Sequence, residues 1–236
     1  RHGRQRVGLP RRHQIAYRHG RHAGQAVDGA GHGGPVQFGL RQGQRGLGRL
    51  QGRLGVSVDG VIGAGTLTAL FARMGAQKPI AEELGLAANV HFRTYGILDS
   101  GLRLAHFMGQ CGHESGGFRY MEEIASGAAY EGRADLGNTQ PGDGRRFKGR
   151  GPIQLTGRAN YRRVGRQIGI DLERHPEIVS HPSIGLLVGC VYWSDRKLNA
   201  KADADDLLGL TKAINGGTNG LEDRRRRTAQ AKELIL

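Results

Sequence analysis

From Leu47 onward the apolar positions recur with a helical period. Leu47, Leu50 and Leu54 make one stripe that ends at Gly55. Residues 56–63 read as a turn-rich, hairpin-like link, after which Thr66 is placed to cap a short helix bearing Leu67, Leu70 and Phe71. Residues 80–95 read as a helix closed by Gly96, and Ser100 is a candidate N-cap for the next. In that next helix Leu104, Phe107, Met108 and Cys111 share one face, and Glu114 continues it before the Gly116-Gly117 pair stops the helix. A long polar stretch, 126–151, then precedes three more helical patterns at 160–168, 183–198 and 205–214. A final helix follows Gly220 and runs to Leu234. No convincing strand is present beyond short hairpin pieces, so the expected class is mainly α.

The placement of Glu114 is the first chemical signal. A carboxyl on the inward face at a helix C-terminus is disfavoured as an anion by burial and by the helix dipole, which is the setting of a general acid. Glu122 and Glu123 follow within ten residues, beyond a turn. Two carboxyls in different surroundings are the minimum for glycosidic hydrolysis, and an inverting enzyme keeps them roughly 6.5–9.5 Å apart to admit a water. The plainer alternative is that Glu114 lies on the surface and the pair forms a solvated face. His113-Glu114 also opens an HExxH-like pattern, but Gly117 stands where the second histidine is required, so no zinc site is read there.

Composition narrows the class. The 236 residues are 37% hydrophobic and only 6% aromatic, with no run near the ~18 apolar residues a membrane helix needs. Cys111 and Cys190 both lie in apolar helical runs and read as small buried hydrophobes. No cofactor or metal is called for. The net charge of +14 suits anionic partners, either nucleic acid or the polymers of a bacterial envelope. Residues 1–46 are dominated by Arg, Gly and His, with neither a helical nor a strand period; they read as a basic low-complexity arm or as a mistranslated segment upstream of an intact domain. No apolar core follows the N-terminal arginines, so no secretory signal is visible.

Two resemblances sharpen this. The run LQGRLGVSVDGVIGAGTLTAL, within residues 47–76, resembles the peptidoglycan-binding domain 1 family, a small helical wall-anchoring module of which the first helix would fall in the anomalous segment. Further on, HESGGF, then YEGR, GRGPIQLTGRANY and INGGTNG resemble, in that order, glycoside hydrolase family 19, in character closer to phage and prophage endolysins than to plant chitinases. The resemblance implies a lysozyme-like, two-lobed helical domain over residues 80–236 behind the small wall-binding module. It implies Glu114 as general acid, Glu123 as general base and Thr156 as the residue that helps hold the attacking water. It also implies substrate contacts from Gln154, Asn160 and Asn215, with Arg224 organising the acidic network, although four consecutive arginines (224–227) blur that register. Tyr120 is an aromatic candidate for the substrate cleft.

The expected activity is therefore bacterial cell-wall degradation: inverting hydrolysis of β-1,4 bonds in peptidoglycan glycan strands, with no nucleic acid required. The expected protein is a monomer, made in the cytoplasm and acting on the wall after release. The alternatives are a chitinase, a lytic transglycosylase that uses Glu114 alone, and a non-catalytic wall-binding or nucleic-acid-binding protein.

Overall fold

The computed structural model describes residues 44–236. Most of the low-complexity stretch thus lies outside the described residues. Every regular element within them is a helix. They are α1 (Gln44–Leu54), α2 (Ala64–Arg73), α3 (Lys78–Thr94), α4 (Gly101–Glu114), α5 (Asp143–Arg146), α6 (Arg158–Ile168), α7 (Pro182–Asp195), α8 (Leu198–Asp203), α9 (Leu207–Asn215) and α10 (Leu221–Ile235). No helix among the described residues is long and apolar enough to cross a membrane.

The central helix is α4, as its apolar face predicts. Ser100 caps it, its hydroxyl accepting from the amides of Leu102 and Arg103. Leu104, Phe107, Met108 and Cys111 are fully buried. Ser115, Gly116 and Gly117 end the helix, with both glycines at positive φ. Helix α10 crosses α4 where Gly109 meets Thr228. A β-carbon on Gly109 would stand 2.1 Å from the Thr228 hydroxyl, so only glycine permits this approach.

Aromatic rings tie the helices into one core. Phe118 packs edge-on against Phe71 at 5.0 Å between ring centres, Phe71 lies 6.1 Å from Phe92, Phe92 4.9 Å from Phe107, and Phe107 5.2 Å from Trp193. This chain of rings passes from α2 through α3 and α4 to α7. Residues 47–76, read from sequence as a module of their own, therefore share their core with residues 80–236. The physical reason is Phe71: the period places it inward, but only the tertiary structure shows whose interior it enters.

Three local expectations differ from what is found. Thr66 does not cap α2; the helix starts at Ala64, and the buried Thr66 hydroxyl lies 3.4 Å from Nε2 of Gln51. The link before it forms no hairpin. Gln51, itself buried, gathers it by donating to Asp59 (2.6 Å) and to the Val61 carbonyl (3.1 Å) while accepting from the amide of Gly60 (2.9 Å). The helix expected over 183–198 breaks at Lys197, which takes a left-handed conformation (φ 52°), and α8 begins there instead.

The α4–α10 crossing gives a test of sign. Gly109→Ala is expected to destabilise by about 1–3 kcal/mol, because the added methyl has no room. Gly52→Ala, in α1 with nothing within 4 Å of the new carbon, is expected to stabilise by about 0.5–1 kcal/mol. Thermal melts of the two variants against the parent chain check both signs.

Candidate active site

Two clusters of the expected residues form, one on each side of the Gly116-Gly117 break. The first is built on α4 and α10. Arg224, with only 1% of its surface exposed, directs its guanidinium to the Glu114 carboxylate. It also donates to Oε1 of Gln110 at 2.6 Å and to the Asn219 carbonyl at 3.4 Å. The register among the four arginines is thereby resolved. Arg224 faces inward, whereas Arg225 pairs with Glu222, and Arg226 and Arg227 with Asp223. The sequence expectation for Glu114 included its inward position but not a cation bonded to it.

Gln110 completes this cluster. It is fully buried one turn before Glu114, and its amide lies 3.5 Å from the Thr211 hydroxyl. Sequence reasoning missed it, although a polar residue four positions ahead of Glu114 on a buried face was the available signal. Asn215 joins from α9. Its amide donates to the Asn219 carbonyl (3.4 Å) that also receives Arg224, while Gly216 at positive φ ends the helix. His113 turns the other way and shares a 2.7 Å hydrogen bond with Asp223. Burial and the nearby Arg224 charge push this imidazole below its ordinary pKa. Burial opposes ionisation of Asp223, yet hydrogen bonds with Arg227, His113 and Arg226 hold it far below the usual carboxylate range.

The second cluster is built on loops. The backbone at 121–123 pairs with 149–151: the Glu123 amide donates to the Gly149 carbonyl (2.8 Å) and the Gly151 amide to the Met121 carbonyl (2.8 Å). Extended backbone alternates its side chains, so Glu122 and Glu123 point to opposite sides. Glu122 is partly exposed and lies 3.2 Å from Lys148 and 3.0 Å from Arg150. Glu123 is 9% exposed and accepts at one oxygen from the Tyr130 hydroxyl (3.0 Å) and at the other from the Gly149 amide (3.1 Å).

Gln154 and Thr156 converge on the same place. A β-carbon built on Gly149 would lie 2.8 Å from Oε1 of Gln154, 3.2 Å from Oε2 of Glu123 and 3.4 Å from the Thr156 hydroxyl. Three polar side chains thus surround one bare α-carbon. Gln154 is held in a left-handed conformation (φ 56°), unusual outside glycine. Its side-chain amide donates to the Gly151 carbonyl (3.0 Å), and Thr156 donates to the Gln154 carbonyl (2.9 Å). Asn160 is brought close but spends its amide on the Thr156 carbonyl at 2.6 Å, so it braces the turn. Tyr120 is 39% exposed beside the Gly-Gly break, its ring packed on Gly116.

Ionic contacts, buried at Asp143 and more exposed at Glu173, hold these loops in place. Arg158 pairs with the buried Asp143 (2.5 Å) and with Glu173 (2.9 Å), and Arg162 adds a second contact to Glu173 (2.6 Å). The Arg162 hydrogen bond and then that of Arg158 hold Glu173 down to about 2, and Arg158 likewise lowers Asp143. Asn138, fully buried, donates to the Tyr130 carbonyl (2.9 Å) and accepts from the Arg158 amide (2.9 Å).

A helical fold that holds two carboxyl groups in contrasting polar settings has the minimum equipment for glycosidic hydrolysis. Residues 92–211, just over half the chain, match the family model described as chitinase class I, and the chain belongs to glycoside hydrolase family 19. A family 19 domain-containing protein of Haemophilus influenzae is 29% identical over 154 residues, covering 52% of this chain and 75% of that protein. An endochitinase of Arabidopsis thaliana is 38% identical over 118 residues, covering 48% of this chain but only 40% of its own length. Among solved structures, a bacterial family 19 chitinase superposes with a TM-score of 0.58 at 22% identity, over 71% of this chain and 93% of that one. Chitinase C from Streptomyces griseus gives 0.56 at 21% identity, over 74% and 92%. The structural likenesses show a mainly α fold, and the family match makes the chain a glycoside hydrolase.

Two expectations follow from the geometry. Gly149→Ala is expected to keep the fold and to lower glycan turnover by about 10²-fold, because the methyl displaces Gln154, Glu123 and Thr156 together. Circular dichroism with steady-state kinetics checks the pair of outcomes. The second concerns acid. Glu173 has a depressed folded-state pKa, so its stabilisation is complete above the unfolded value near 4.3 and is lost as pH falls toward about 2. Melting temperature is expected to drop across that window, and Glu173→Gln is expected to lower it at neutral pH while flattening the drop.

Proposed function

We propose that this chain hydrolyses β-1,4 glycosidic bonds in the glycan strands of bacterial peptidoglycan by an inverting, two-carboxylate mechanism. The observation that carries the reading is a second carboxyl, Glu123, held by two neutral donors beside the Thr156 hydroxyl, in addition to Glu114 at the end of α4. In the proposed step the Glu114 carboxyl gives its proton to the glycosidic oxygen as the bond from that oxygen to the anomeric carbon breaks. A water on the opposite face bonds to that carbon and passes its proton to the Glu123 carboxylate. Thr156 orients the water, and Gln154, Asn215 and Tyr120 meet the sugar. Arg224 fixes the Glu114 carboxyl, and Asn160 holds the turn that carries Thr156.

Peptidoglycan is favoured by the likeness of residues 47–76 to a wall-binding module and by the basic excess of +14, which suits an anionic wall. On this reading α1 and α2 contribute a wall-contacting surface, and the protein acts on the wall after release from the cell. A second reading, chitin as substrate, is favoured by the plant endochitinases among the relatives.

Digests of purified peptidoglycan and of chitin oligosaccharides, resolved by mass spectrometry and proton NMR, test the proposal. The expected product from peptidoglycan is a new hydrolysed reducing end, first formed as the α anomer. Anhydro-sugar ends would replace the mechanism with that of a transglycosylase, and release from chitin alone would favour the second reading. Glu114→Gln and Glu123→Gln are each expected to lose about 10²–10⁴-fold in turnover, and Glu122→Gln far less.

A further inference from the structure

Tyr130 is given no role of its own in the reading above, yet it is closely braced. It lies on a short 3₁₀ turn (Ala128–Tyr130) inside the long polar loop and is 8% exposed. Its amide donates to the Gly127 carbonyl (2.9 Å), and its own carbonyl accepts from the buried Asn138, which is fixed in turn by the first amide of α6. Gly127 has no room for a side chain, since a β-carbon there would stand 2.3 Å from the Gly144 carbonyl. This bracing holds the Tyr130 hydroxyl where it donates to Oε1 of Glu123 at 3.0 Å.

The Gly149 amide takes the other oxygen at 3.1 Å. One donor on each oxygen fixes both the position and the plane of the carboxylate. That second oxygen gathers with Oε1 of Gln154 and the Thr156 hydroxyl around Gly149. A carboxylate on a flexible side chain otherwise samples several rotamers, and a misplacement of about 1 Å lowers rate about 10²-fold.

We infer that Tyr130 is a positioning residue that, with the Gly149 amide, orients Glu123 to take the proton of the attacking water. This rests on Glu123 being the base, and the test separates the two claims. Tyr130→Phe removes one oxygen and keeps the ring. It is expected to lower kcat about tenfold with KM within about twofold and the melting temperature nearly unchanged. Glu123→Ala provides the background for a double-mutant cycle. In its slow residual turnover, followed over long incubations, adding Tyr130→Phe is expected to cost nothing further, because the group it orients is gone.

An equal tenfold loss in both backgrounds would make Tyr130 a structural residue only and overturn the inference. Full kcat in Tyr130→Phe while Glu123→Gln is dead would overturn it and leave the base assignment standing. Should Glu123→Gln stay active, the base assignment falls, and the inference with it.

Discussion

The buried guanidinium of Arg224 ties the end of α4 to the start of α10. An arginine does not shed its charge at any relevant pH, so removing it from water demands full hydrogen bonding in return. Here the acceptors come from separate segments: Glu114 and Gln110 on α4, and the carbonyl of Asn219 before α10. All must be in register at once. The close approach of Gly109 to Thr228, one turn beyond Arg224 on α10, sets the distance at which that register is possible. The position of Glu114 is thus a consequence of helix packing, and a fault in the packing would be felt as a fault in the chemistry.

The other half of the site is solved differently, because it has no helix to stand on. Residues 115–157 carry little regular structure, yet their polar groups are accounted for. Glu122 pairs with Lys148 and Arg150, Asp143 with Arg158, and Asn138 bridges two turns. Such a loop holds its shape through side-chain to backbone bonds, each replacing what a sheet ladder would supply. The two halves meet at the Gly-Gly break, where the backbone of Gly117 also touches that of Gly75.

Much of this was legible in the sequence where one period governs the outcome. The buried face of α4, its Ser100 cap and its glycine stop all follow from local rules, and motif order brought Glu114, Glu123, Thr156 and Arg224 forward. The register between Glu122 and Glu123 was not legible, because it depends on pairing with residues 149–151, some 28 positions away. Tyr130 and Gly149 stood in the quoted motifs, but their contacts with Glu123 were not legible for the same reason, since they exist only across the folded loop. Asn160, expected as a sugar contact, also holds the Thr156 carbonyl with its amide, a bond that side-chain chemistry alone does not announce. At Lys197 a left-handed backbone overrode a continuous helical pattern.

The run of rings from Phe118 to Trp193 bears on how such a chain can be rearranged. A true cassette can be cut out and grafted elsewhere because its interior is its own. Here Phe71 of α2 is wedged between Phe118 and Phe92, so excising the N-terminal helices would bare aromatic surface on the catalytic body and strand an unfilled half-core on the excised piece. Recombination between relatives should therefore find its tolerated crossover upstream of α1 rather than at the Gln77 link between α2 and α3, however much that short polar joint looks like a seam.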